Sequence, residues 1–169
     1  FLLSIIMNIL KLPLNQSVSI LNYNKHGLVA LEKGVGVLSH PNRGNDKKPA
    51  LLDAKYDFNE EAYTWKDDEG NDEKAWLLNR LDSPTSGVIL LALNETIRNA
   101  IRVAFEKHTV KKIYYAIVKG CPRNTSGQWN QKLKPSSYAS KHKAPARLAK
   151  TLYKVEARSP SNSQLTCLR

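Results

Sequence analysis

The sequence of 169 residues contains only two cysteines, Cys121 and Cys167, and they do not form a C-x-x-C pair. Its four histidines also lack the spacing of metal ligands. These absences argue against a zinc site and against a disulfide framework, so we expect no metal in the protein. Two cysteines without a pattern also favour a cytoplasmic location.

Long apolar runs are missing as well. The first ten residues, FLLSIIMNIL, are too short to span a bilayer, which takes about 20 residues, and no basic region precedes them as in a signal peptide. We therefore expect no contact with a membrane. Because the chain begins with Phe1, we predict initiation at Met7, with residues 1–6 foreign to the native protein and residues 1–17 forming a leader. The last stretch, SNSQLTCLR, is typical of a strand that begins, which predicts a fragment.

Acidic residues are scarce in the second part of the chain. Residues 1–70 hold 8 Lys and Arg against 9 Asp and Glu, whereas residues 71–169 hold 18 against 6, and the net charge is +11. A surplus of this size attracts polyanions, so a nucleic acid is the expected partner. The alternative is a basic surface that only serves solubility.

The length and a hydrophobic content of 41% predict one globular domain, over residues 18–169. Residues 19–40 contain two β-prone runs around the turn sequence NKHG, which predicts a hairpin. Residues 41–50 are typical of a polar loop. The acidic residues 53–74 are expected to form a solvated loop. Their stretch DDEGNDE does not predict a calcium site, because its glycine does not follow three acidic positions at the EF-hand spacing.

The remaining elements follow from apolar patterns. VILLAL, residues 88–93, predicts a central strand buried on both faces. Asn94 is the expected cap of a core-facing helix whose outer face carries Arg98 and Arg102. Residues 111–120, 148–159 and 164–169 predict strands. The basic stretch 123–150, with Trp129 and Tyr138, predicts a long loop that contacts phosphates or, alternatively, is only a flexible connection. Together these indicate an α+β fold, a mixed, mostly antiparallel central sheet with flanking helices.

The stretch NRLDSPTSG, residues 79–87, places one carboxylate, Asp82, in a polar turn before an apolar strand. The serines and the threonine around it form no G-x-S-x-G elbow, and no second acid is placed to complete a glycosidase pair. A single Asp that acts as a covalent nucleophile, beside a cation and an aromatic ring that stacks a base, suits a basic RNA-binding surface.

Three ordered motifs in this sequence resemble those of the RluA-type RNA pseudouridine synthases. Residues 79–87 are similar to the family's H-R-L-D-x-x-T-S-G motif, and residues 112–120 match K-x-Y-x-A-x-V-x-G. LEKGVGVLSHP, residues 31–41, is similar to K-P-x-G-x-x-x-H-P. The resemblance covers residues 18–158 and implies the pseudouridine synthase catalytic fold, with isomerisation of uridine to pseudouridine in ribosomal or transfer RNA, without a cofactor, by a monomer.

The resemblance also implies the site residues. Asp82 corresponds to the catalytic nucleophile, Arg80 to the residue that fills the gap left by a flipped base, and Tyr114 to the catalytic ring that stacks on the target. We expect Asn79, Thr85 and Lys112 to contact RNA together with Arg80, and Gly87 to serve the backbone geometry of the turn.

The sequence departs from the family pattern at three places. Gly34 stands where the family usually has Pro, and Asn79 stands where it usually has His. The family's G-R-x-H-Q-I-R block, whose Arg pairs with the catalytic Asp, would come after Arg169, which again predicts a truncated domain. The alternative function is therefore a catalytically silent RNA-binding protein that retains the fold, and a third is a basic structural protein that meets RNA only nonspecifically.

Overall fold

A computed structural model of the chain describes residues 9–43, 48–133, 146–159 and 164–169. The residues predicted to be foreign, 1–6, and Tyr138 lie outside the described part. The chain divides after Val110 into two compact units, each with its own antiparallel sheet. The predicted antiparallel pairing is thus confirmed, but the strands form two sheets rather than one central sheet.

The sheet of the first unit has six strands in the order β1-β2-β6-β5-β4-β3. Their bounds are β1 Val18–Tyr23, β2 Leu28–Lys33, β3 Lys55–Asp57, β4 Ala62–Lys66, β5 Asp72–Leu77 and β6 Gly87–Ala92. The predicted hairpin is β1 and β2. Its turn is fixed by Asn24, whose side-chain oxygen accepts from the backbone N–H groups of His26 and Leu28, and by Gly27 at a φ of +91°.

The prediction of an acidic loop over residues 53–74 was wrong, since β3, β4 and the start of β5 lie there. Ala62, Tyr63 and Ala75 in these strands are fully buried. The acidic residues dominate the composition of the segment and mask the apolar positions that face the core. Residues 67–71 form the expected polar turn, which Asp67 closes by accepting from the Asn71 N–H.

The core of the first unit lies on one face of β6, where Ile89 and Leu91 have no exposed surface. Ala92 packs on the other face with Ala62 and Trp76. Val88 is 52% exposed, so only the end of β6 is buried on both faces, in contrast to the prediction for the whole strand.

Helix α1, Glu95–Glu106, begins at the predicted cap, because the Asn94 side chain accepts from the N–H of Ile97 at 3.0 Å. Its packing differs from the prediction. The Arg98 guanidinium lies 5.5 Å from the Trp76 ring centre, and Arg102 donates to Glu61 at 2.8 Å. Both arginines thus face the sheet, and no residue of α1 is fully buried, although the Arg98 Nε atom itself is buried.

The sheet of the second unit, Lys111–Arg169, has the order β7-β10-β9-β8. Its strands are β7 Ala116–Lys119, β8 Ser126–Leu133, β9 Arg147–Arg158 and β10 Leu165–Leu168. The two final strands are as predicted. Strand β7 begins at Ala116 rather than at residue 111. Strand β8 occupies part of the predicted loop 123–150, because it pairs along its whole length with the first two thirds of β9. Such long-range pairing has no local sequence signal.

Candidate active site

Two motif segments of the first unit are joined by backbone and side-chain hydrogen bonds. We call residues 33–41 the lysine segment and residues 79–87 the aspartate loop. The Gly36 N–H donates to the Ser83 carbonyl at 2.8 Å, and Ser83 Oγ donates to the Gly36 carbonyl at 3.1 Å. Ser39 Oγ donates to the Leu81 carbonyl at 2.7 Å and accepts from the Leu81 N–H at 2.9 Å. Two segments about 40 residues apart in sequence thus form one loop pair.

Lys33 lies beneath this loop pair with no exposed surface. Its ammonium donates to the carbonyls of Gly34 at 3.0 Å, Val37 at 2.8 Å and Ser83 at 3.3 Å. An ammonium has three donors, so each has a partner. Burial lowers the pKa of Lys33 from its ordinary value, while the charge of Asp82 acts in the opposite direction. The buried cation therefore lies within the electrostatic field of the predicted nucleophile.

Asp82 is exposed at the tip of the aspartate loop. Its carbonyl accepts from the N–H of Thr85 at 2.9 Å, which closes a tight turn. Gly87 ends the turn at a φ of +138°, so its predicted role in backbone geometry is supported. The turn presents the Asp82 carboxylate to solvent, where a substrate has access to it.

Both polar groups of the Asn79 side chain form hydrogen bonds with the backbone of β6. Its Nδ2 donates to the Val88 carbonyl at 3.1 Å, and its Oδ1 accepts from the Leu90 N–H at 2.7 Å. The side-chain amide therefore continues the pairing of β5 with β6, one residue beyond the bond from Leu78 to Leu90. Its contact with RNA stays a prediction.

Arg80 is exposed and points to His40 of the lysine segment, with Nη1 3.4 Å from His40 Nε2. His40 Nδ1 lies 2.8 Å from the Pro41 carbonyl, which only accepts, so Nδ1 carries the proton and Nε2 accepts from Arg80. The His40 ring also stacks on Tyr56, with ring centres 5.0 Å apart. The position of Arg80 thus depends on His40 of the lysine segment and on Tyr56, which lies outside both motif segments.

Four of the six predicted site residues belong to the first unit: Asn79, Arg80, Asp82 and Thr85. Lys112 and Tyr114 belong to the second unit, in the irregular stretch before β7, where Tyr114 is 53% exposed. The motif of the lysine segment was recognisable in the sequence, but its residues Lys33, Ser39 and His40 were not predicted as site residues. Within the described residues, no group of three or more His, Cys, Asp or Glu side chains is arranged to hold a metal. No helix in that part of the chain has the length and apolarity needed to cross a membrane.

Comparison with known proteins decides the family. The family described as RNA pseudouridylate synthase matches residues 27–169, which include both segments of the candidate site and the second unit. The chain belongs to this family.

Curated relatives of this pseudouridine synthase family member are similar over part of their length. The tRNA pseudouridine synthase C of Pectobacterium carotovorum is 34% identical over 98 residues, which is 58% of this chain and 23% of that protein. The enzyme of the same name from Haemophilus ducreyi is 36% identical over 98 residues, 58% of this chain and 36% of that protein. The chain therefore spans about a quarter to a third of the length of these relatives.

A solved structure supports the fold. Human RNA pseudouridylate synthase domain containing 4 superimposes with a TM-score of 0.56 at 20% identity, over 89% of this chain and 57% of that one. The pseudouridine synthase fold predicted from the motifs is thereby supported.

Proposed function

We propose that the protein containing this chain isomerises uridine to pseudouridine in RNA, with Asp82 as the nucleophile. The observation that carries the proposal is the loop pair, in a chain of this family, that presents Asp82 to solvent above buried Lys33. The reaction breaks the bond between ribose C1′ and uracil N1 and forms one between C1′ and C5. N1 gains one proton and C5 loses one, so the substrate and the product are isomers and no co-reactant is consumed.

Each predicted residue has a part in this reaction. The Asp82 carboxylate takes part in cleaving the glycosidic bond, and Lys33 supplies a positive charge that favours its ionised form. Arg80 is exposed two residues before Asp82 and enters the gap that the flipped base leaves. Tyr114 supplies a ring for the target base, while Lys112 and Thr85 contact the RNA.

The charge of the second unit supports an RNA substrate. Residues 111–169 contain 13 Lys and Arg against one acidic residue, Glu156. Glu156 lies 3.5 Å from the Lys154 ammonium and 3.3 Å from Arg169 Nε, so even this charge has cationic partners. A surface of this composition binds phosphates through release of counterions. Because the relatives above are named tRNA pseudouridine synthases, transfer RNA is the first substrate to test and ribosomal RNA the second.

The experiment is pseudouridine mapping on total RNA from cells that lack the gene. The gene is returned as wild type, as Asp82→Asn, or as Asp72→Asn, which removes an exposed carboxylate from the start of β5 as a matched control. We expect one or more sites to disappear in the deletion and to return with wild type and Asp72→Asn only. If Asp82→Asn also restores them, Asp82 is not the nucleophile. If no site responds to the deletion, the enzyme proposal fails.

A further inference from the structure

An aromatic and cationic surface lies beside the candidate site and belongs to neither motif alone. We call it the Phe58 patch, and it consists of His40, Arg43, Tyr56, Phe58 and Arg80. Phe58 packs edge-to-face on Tyr56 and His40, with ring centres 5.1 and 5.8 Å apart. Tyr56 in turn meets Tyr63, which is fully buried in the core, at 4.9 Å. The patch is therefore a ring cluster anchored in the core with its outer member at the surface.

Phe58 is held by the turn between β3 and β4. The Asp57 carboxylate accepts from the N–H groups of Asn59 at 2.7 Å and Glu60 at 3.1 Å, both within the turn that starts with Phe58. Phe58 is 36% exposed, and the Arg43 guanidinium lies 4.9 Å from the centre of its ring. An aromatic ring that is fixed by its backbone turn and contacted on its face by an exposed arginine is accessible to a planar ligand.

The charges around the patch leave its cations available. Glu60 pairs with Lys74 at 2.7 Å, and Glu61 pairs with Arg102 at 2.8 Å. Within the residues that the structure describes, the ion pairs involve neither Arg43 nor Arg80. The patch therefore combines an aromatic face with two guanidinium groups whose charge no described carboxylate neutralises by direct contact.

We propose that the Phe58 patch binds a nucleotide that neighbours the target uridine, with its base stacked on Phe58 and its phosphate bound by Arg43. In the absence of RNA the Arg43 guanidinium covers the ring. An exposed cation–π contact is weaker than stacking of a base on an aromatic ring, and a guanidinium binds phosphate in two-pronged geometry, so the exchange is favourable. This inference rests on the proposed function, since it takes RNA to be the substrate.

The patch is joined to the reaction centre by a short series of contacts. Phe58 contacts His40, His40 Nε2 accepts from Arg80, and Arg80 is two residues from Asp82. A base on Phe58 is thus placed one contact beyond the residue proposed to replace the flipped uridine. Because stacking needs an unstacked base, the bound nucleotide belongs to a single-stranded loop rather than a duplex.

The test compares binding of a fluorescein-labelled oligouridylate and of an RNA duplex to the purified chain at several salt concentrations. Phe58→Leu removes the ring, Phe58→Trp retains it, and Tyr23→Leu removes a ring that is 42% exposed elsewhere in the same unit. We expect Phe58→Leu to weaken binding of the single strand about 5- to 150-fold without a change in salt dependence, and Phe58→Trp and Tyr23→Leu to bind like wild type.

The phosphate contact of Arg43 is tested separately from stacking with Arg43→Gln. Lys25→Gln removes the same charge elsewhere in the unit and is the control. We expect Arg43→Gln to reduce the slope of log affinity against log salt by about 0.7 and Lys25→Gln to leave it unchanged. Equal binding by wild type and Phe58→Leu, or an equal loss for strand and duplex, would overturn the proposal. Pseudouridine mapping shows whether the proposed function fails together with the Phe58 proposal. If a pseudouridine site in RNA still depends on Asp82, the proposed function stands and only the role of the Phe58 patch is wrong.

Discussion

The ammonium of Lys33 lies 3.3 Å from the carbonyl oxygen of Ser83, 50 residues later in the chain. With its bonds to Gly34 and Val37, it joins the end of β2 to the loop that carries Asp82. A buried charge is tolerated here because every donor has an acceptor and a carboxylate is near. The predicted nucleophile is thus positioned by a side chain that never reaches the surface.

This arrangement predicts a pH dependence of stability. Because burial lowers the pKa of Lys33 in the folded state, the unfolded chain binds more protons between that pKa and the ordinary value of 10.5. The contribution of Lys33 to the free energy of unfolding therefore rises with pH through this window. The free energy of unfolding is measured with urea at several pH values from neutral to about 10. We expect it to show this rise in wild type and not in Lys33→Met.

The coupling to Asp82 is tested in the same experiment. Asp82 opposes the lowering of the Lys33 pKa, so Asp82→Asn should shift the rise to lower pH. A rise of equal size in wild type and Lys33→Met would show that another group causes it.

Ser39 is expected to stabilise the loop pair. It is nearly buried, and its hydroxyl has both a donor and an acceptor bond to the backbone of Leu81. Ser39→Ala leaves both groups unpaired and should lower the free energy of unfolding by about 1–3 kcal/mol. Ser86→Ala, at an exposed position of the aspartate loop, is the control and should change it little. Equal effects of the two variants in urea unfolding would contradict the role of Ser39.

The stability of the folded protein is expected to depend on the side-chain N–H donor of Asn79. Asn79→Asp retains an oxygen for the Leu90 N–H but places another oxygen against the Val88 carbonyl, now with a charge. The variant should unfold at lower urea concentration than wild type, and acidification that protonates the new carboxylate should reduce the difference. Asn59→Asp, at an exposed turn position, introduces the same charge and should lack this effect.

Tyr114 offers a test of stacking in the second unit. If its ring stacks on the target base, Tyr114→Phe should retain single-strand RNA affinity, and Tyr114→Leu should reduce it about 5- to 150-fold. Tyr115→Leu removes the neighbouring exposed ring and is the matched control. The labelled oligouridylate described above serves for this titration, and a parallel loss in the Tyr115 variant would argue against a specific role.

Gly127 lies so close to the Tyr153 side chain that a larger residue at this position would clash with it. A Cβ at this position would lie 2.7–2.9 Å from the Tyr153 ring, which stacks on Trp129 at 4.2 Å. Gly127→Ala should therefore displace Tyr153 and change the tryptophan fluorescence. In Tyr153→Leu the ring is absent, so adding Gly127→Ala should cost much less free energy of unfolding than it does in wild type. Additive effects of the two substitutions would show that the contact is unimportant.

Local patterns accounted for the elements that depend on neighbouring residues. The turn at residues 24–27, the Asn94 cap, the β6 run and the last two strands were all predictable, because each has its signal within a few residues. The strands β3 to β5 and β8 were missed, since their charged or polar residues face solvent and only pairing with distant strands defines them. For the same reason the orientation of Arg98 and Arg102 was wrong: helix periodicity did not reveal that Trp76 and Glu61 lie beneath them.

The sequence by itself determined the family, the basic character of the second unit and the identity of Asp82 as the candidate nucleophile, because motif residues and charge are properties of the chain order. Tertiary structure alone decided that Lys33 is buried under the aspartate loop, that Asn79 completes the pairing of β6, and that Phe58 lies beside His40. These relationships join residues separated by 9 to 50 positions, and their hydrogen bonds and ring contacts exist only after the sheet has fixed the distances between them.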